Sequence, residues 1–183
     1  MNTLRLIGSI ALATALVGTS QAGEWNVNKA TSSVGFSAEQ QGSKFNGRFP
    51  DFEAMISFDP SAPASGSIVG KVKTESVNTR DHDRDAALTD RDWFNVGEYP
   101  EAMFESETIA KTDDGYEARG QLTIKGNTKP ATLRFTFDES GSGAKFDGKM
   151  MINRFDFNVG EGWNDTSWVG QNVEVQIMLD LTK

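Results

Sequence analysis

Past the first two dozen residues, apolar side chains fall on every second position. In SVGFSAE they are Val34, Phe36 and Ala38, and in DFEAMISFD they are Phe52, Ala54, Ile56 and Phe58. SIVGKVK pairs Ile68 with Val72 more weakly, and GYEARGQLTIKG aligns Tyr116, Ala118, Leu122 and Ile124. PATLRFTFD sets Ala131, Leu133, Phe135 and Phe137 on one side, and NVEVQIMLDLTK does so with Val173, Val175, Ile177, Leu179 and Leu181. Successive side chains of a strand point to opposite faces, so this period predicts strands buried on one face only.

Turn-forming clusters separate the runs: DPSAPASGS, KTDDG, KGNTKP and DESGSG. DDG and the Gly-Ser cluster suit hairpins, which makes the pairing mainly antiparallel. The runs suffice for about eight strands, the number at which a closed barrel can hold one small ligand. A two-sheet sandwich satisfies the same period and stays open at this point.

One stretch departs from the pattern. RDHDRDAALTDRDWF packs acids, arginines and the single histidine, His82, into a run with little alternation. Asp81 is placed to cap a helix whose first turn holds Asp83, an arrangement that suits the positive helix N-terminus. Arg84, Leu88 and Arg91 then share one helical face, and Thr89 with Asp92 has the spacing of a second cap before Trp93 and Phe94. The prediction is an all-β barrel carrying one or two short helices.

The start of the chain bears on compartment. Arg5, an apolar run from Leu6 to Val17 and the small residues before Gly23 have the layout of a secretory signal peptide cleaved after Ala22. The run is shorter than the roughly 20 apolar residues that span a bilayer. The reading is therefore a leader, residues 1–22, and one exported periplasmic domain, residues 23–183. The formal net charge is −8; removing the leader takes away one more positive charge, and nothing forms the basic stripe that nucleic acid requires. With no cysteine, disulfides and thiolate chemistry are excluded.

Catalytic readings find little support. His82 is the only imidazole available to a nucleophilic triad, and no GxSxG elbow accompanies it. A transition metal needs more His or Cys than the chain offers. Asp81, Asp83 and Asp85 alternate as calcium ligands do, but the loop lacks the required Gly and terminal Glu. No acid pair is singled out for glycoside hydrolysis. Twelve Phe and four Trp supply a well-filled core, or else the lining of a hollow one.

Five stretches taken together, FNGRFPDFEAMISFDP, SVNTRDHDRDAAL, DWFNVGEYPEAMFES, GQLTIKGNTKPATLRFTF and INRFDFNVGEG, closely resemble the YceI-like family of exported bacterial proteins. That resemblance implies a lipocalin-like antiparallel barrel with an apolar tunnel holding an isoprenoid, such as a quinone tail, or another lipid-like chain. It implies no catalytic residue and no required cofactor. It also makes a membrane cytochrome of the b561 type a candidate partner. Many relatives carry histidine where this chain has Gln40 and Ala87, so a headgroup contact made there is absent here.

From the apolar faces and these motifs, the candidate lining is Phe36, Phe45, Phe49, Phe52, Met103, Phe104, Phe135, Phe155 and Phe157. Leu88, Trp93 and Phe94 are expected to close one side, with Trp163 and Trp168 nearby. Arg84, Asp85 and Arg154 are the polar candidates at the entrance, with salt bridges pinning the helix to the barrel as their structural alternative. Burying a chain of roughly twenty carbons yields on the order of 16 kcal/mol gross. Association costs of about 4–15 kcal/mol take most of that back. Tail burial alone therefore supports binding without a conspicuous polar motif. Two other readings compete with a carrier: an accessory protein of stress or membrane redox with a filled core, and a hydrolase built on His82. Edge strands offer a route to a homodimer, to which no residue commits.

Overall fold

The alternating runs become strands in a computed structural model that describes residues 23–183; the expected leader, residues 1–22, lies outside the described residues. The strands are β1 (Glu24–Val27), β2 (Ser33–Gln40), β3 (Ser43–Arg48), β4 (Phe52–Ser57), β5 (Ser67–Lys73), β6 (Glu101–Thr112), β7 (Gly115–Ile124), β8 (Asn127–Ser140), β9 (Gly143–Asn153) and β10 (Asn172–Thr182). All pair antiparallel. β1 bonds to β4 on one side and β10 on the other, so β1, β4 to β9 and β10 close an eight-stranded barrel. The sandwich is thereby excluded.

Two positions in the wall are broken. β10 pairs along its whole length with β9, but on its other side it meets β2 first and β1 only at its end. The break between β1 and β2 is held by Asn28 N–H, which donates to the Asp180 carbonyl at 2.9 Å. β3 pairs with β2 and follows no further strand; its last residue, Arg48, exchanges backbone bonds with Asn78 instead. At that end the sheet wall is completed by the long β5–β6 connection, which carries the helix.

That helix, α1 (His82–Thr89), begins where the capping argument placed it. Asp81 accepts a hydrogen bond from Arg84 N–H at 3.1 Å. It stops sooner than expected. Thr89 turns its hydroxyl back to the Ala86 carbonyl at 2.7 Å, so no second cap forms. Residues 91–94 make turns rather than a second helix, and Arg91 lies outside the helical face that holds Arg84 and Leu88. Among the described residues no helix is long and apolar enough to cross a membrane.

The two barrel ends differ. At one, Trp25, Phe58, Tyr116, Phe135, Phe137 and Phe146 interlock. Phe58 stands edge-on to Tyr116, Phe135 and Phe137 with centroids 4.9–5.3 Å apart, and Phe135 stacks on Phe146 at 4.7 Å. Trp25 closes the group, its indole N–H donating to the Phe58 carbonyl at 3.0 Å. The other end is bounded by α1, the β2–β3 and β7–β8 hairpins and the segment 154–171.

Candidate functional site

Above the aromatic plug the barrel is hollow, with a cavity of about 470 Å³. Its wall follows from strand alternation. β10 contributes Val173, Val175, Ile177 and Leu179; β2 adds Val34, Phe36 and Ala38; β4, β5 and β6 add Ala54, Ile56, Ile68, Val72, Ala102 and Phe104. Leu133 and Phe146 form the floor. Gly70 stands between Ile68 and Val72, and a Cβ built there would meet nothing within 4 Å. The missing side chain therefore belongs to the hollow. Gly47 on β3 has the opposite role, since a Cβ there would lie 2.3 Å from the Phe36 ring, which rests directly on its backbone.

Polar groups gather along one arc of the mouth, with Glu53 and Lys71 of β4 and β5 bordering the hollow elsewhere. The Arg84 guanidinium lies 4.1 Å above the Phe45 ring. Its Nε donates to Gln40 Oε1 at 3.1 Å, and Asp81 pairs with it at 3.3 Å. Ala87 and Asp83 border the same arc. Gln40 and Ala87, the two positions where a histidine would change the chemistry, thus both face the cavity mouth.

Arg154 is different in kind. It is buried, 3 % exposed, and among the described residues no carboxylate pairs with it. Its donors reach five backbone carbonyls instead: Gly170 from Nε, Val159 and Gly160 from Nη1, Trp163 and Val169 from Nη2. Desolvation pulls its pKa below the ordinary arginine value. Gly160, at φ +77°, leaves room for Nη1, which would stand 2.6 Å from an added Cβ. Lys125, also buried, ties the β7–β8 turn to the same cap through the Asp92 and Asn158 carbonyls at 3.2 and 2.8 Å.

Of the residues singled out from sequence, Phe36, Phe45, Phe49, Leu88, Trp93, Phe94, Phe104, Phe157, Trp163, Arg84 and Arg154 line the hollow. Met103 borders it too, although alternation sets it on the face opposite Phe104. Five residues do not line it. Phe52 is packed into the core beside it, and Phe135 belongs to the plug. Phe155 lies under the Arg154 guanidinium at 4.1 Å and borders a separate surface hollow. Trp168 is 52 % exposed. Asp85 is occupied elsewhere, its Oδ1 accepting from Thr79 N–H and Oγ1 at 2.7 Å each. The entrance salt bridges expected of Arg154 are likewise replaced by bonds to carbonyls. His82 is fully exposed with Asp83 3.8 Å away, a solvated helix start. Gly70, Phe146 and Met150 were missed because a glycine and an unrecognised strand carry no lining signal of their own.

A model of the YceI-like domain matches residues 25–181. A UPF0312 protein of Yersinia pestis is 33% identical over 140 residues, covering 73% of this chain and 71% of that protein. The crystal structure of Burkholderia cenocepacia BcnA superposes with a TM-score of 0.82 at 34% identity, over 85% of this chain and 99% of that one. A polyisoprenoid binding domain from Saccharophagus degradans, implicated in plant cell wall breakdown, shares the fold with a TM-score of 0.65 at 16% identity, over 88% and 98% of the two chains.

Proposed function

The chain belongs to the YceI-like family, and on that premise we propose that it is an exported binding protein sheltering one isoprenoid or fatty chain, a quinone tail among the candidates. The observation that carries this reading is the apolar hollow above a closed aromatic floor. A chain inserted there exchanges water for the side chains of β2, β4, β5 and β10, at about 0.8 kcal/mol per buried methylene. The tail supplies the affinity. The Arg84–Gln40 pair offers guanidinium donors to a polar end left at the mouth, which suits a carbonyl or other acceptor. A filled-core accessory protein would need side chains throughout the interior, whereas here they fill one end. The cleaved leader and a periplasmic location belong to the same proposal.

The test is organic extraction of protein purified from a bacterial periplasm, followed by mass spectrometry. One apolar chain per protein is the expected result. Absence of any stoichiometric chain, together with failure to take up added farnesol or palmitate, would end the carrier reading.

A further inference from the structure

The rim of the barrel shows two half-exposed indoles five residues apart in sequence. Trp163 is 45 % and Trp168 52 % exposed, and every residue from 161 to 168 is open to solvent. The segment is nevertheless firmly held. Arg154 grips the carbonyls of Trp163 and Val169, and Gln41 N–H donates to the Trp168 carbonyl at 2.9 Å. Trp163 also packs against Trp93, with centroids 6.3 Å apart, and both line the hollow. Indole surface therefore runs without a break from solvent into the binding cavity. A buried charge spent on fixing an exposed, aromatic-bearing loop is costly unless the loop has work to do.

Charge narrows the partner. Around this end the acids Glu39, Asp83, Asp90, Asp92, Asp156 and Asp165 are exposed against Lys44, Arg80 and Arg91, while Asp81 is paired with Arg84 and Glu161 with Lys125. Arg154 adds one positive charge, but it is enclosed beneath the loop. An acidic rim is repelled by anionic lipid but complements the outward ammonium of a zwitterionic headgroup. Indole faces attract such cations, and tryptophan settles at the membrane–water boundary.

We propose that this rim is a membrane-contact surface resting on ammonium-bearing zwitterionic headgroups, with Trp168 and Trp163 in the interface and the barrel mouth opening onto the bilayer. An apolar chain then moves between membrane and cavity without crossing water. The contact goes beyond the carrier reading and stands or falls on a different measurement.

The experiment is flotation of the intact protein with protein-free vesicles of phosphatidylethanolamine and phosphatidylcholine, alongside vesicles enriched in phosphatidylglycerol. Wild-type protein should float with the zwitterionic vesicles, and its tryptophan emission should be quenched by lipids brominated near the headgroup. Trp168→Ser, at an exposed position off the cavity wall, should keep its melting temperature and its uptake of palmitate in vesicle-free buffer. Its vesicle affinity should fall about tenfold, with partial return in Trp168→Tyr. Stronger flotation with the anionic vesicles, undiminished binding by Trp168→Ser, or binding to native membranes but not to protein-free vesicles would overturn the proposal; the last would assign the rim to a protein partner. Vesicle binding without palmitate uptake would instead count against the carrier reading alone.

Discussion

Arg154 is enclosed and, among the described residues, has no acid paired with it, so its charge is met by carbonyl dipoles and by the faces of Phe155 and Trp93. Arg154→Met removes the donors of five carbonyls that the cap holds away from water. The expected loss is roughly 3–5 kcal/mol. Arg154→Lys should recover only part of it, because an ammonium cannot reproduce the planar fork. Urea melts measure both, and a loss within 1 kcal/mol of zero for the Met variant would contradict the assignment. A second residue gives a pH signature. Asp165 accepts both the N–H and the hydroxyl of Ser167, at 2.9 and 2.7 Å, and these bonds hold its carboxyl below the ordinary aspartate value. A depressed carboxyl stabilises the fold above its unfolded pKa and loses that contribution as pH falls through the folded one. The stability gap between wild type and Ser167→Ala should therefore be constant near neutrality and close below about pH 4. A gap unchanged down to pH 2 would refute it. Neither role was legible in the sequence. Arg154 stood out as an entrance charge, but which atoms neutralise it depends on a loop that returns over it from residues 159–170.

At the scale of elements, α1 shows what local chemistry can foretell. Its start was readable because a cap is settled within four residues, and Asp81→Ala should cost about 1 kcal/mol by the same logic. Because Asp81 also pairs with Arg84, that variant should loosen the Gln40 contact and quicken ligand release; stopped-flow displacement of a fluorescent fatty chain reads the rate. An unchanged rate would separate the cap from the mouth. Strands were legible in proportion to the purity of their alternation. β6 escaped because a bulge between Ser106 and Thr108 shifts its phase, leaving Phe104 and Ile109 inward although five positions apart. β9 alternates perfectly in three dimensions through Ala144, Phe146, Gly148 and Met150, but a glycine interrupts the apolar series in one dimension. β3, with Phe45 as its one large apolar residue, has almost no pattern to read.

At the scale of the whole molecule, the division into plug and hollow decides function, and it is the property the sequence kept most hidden. Twelve Phe are compatible with either a full or an empty barrel. The outcome turns on where rings meet and on one absence, Gly70, whose inward side is open. Filling that space should exchange function for stability. Gly70→Leu relieves the backbone entropy of a strand glycine and buries new apolar surface, so it should stabilise the fold by about 1–2 kcal/mol. The same side chain would stand where the ligand lies. Native mass spectrometry of wild-type and Gly70→Leu protein titrated with palmitate and farnesol tests this directly. Wild type should retain a single chain, and the better-folded variant should form an at least tenfold weaker complex. Equal retention by the two proteins, or none by either, would contradict it.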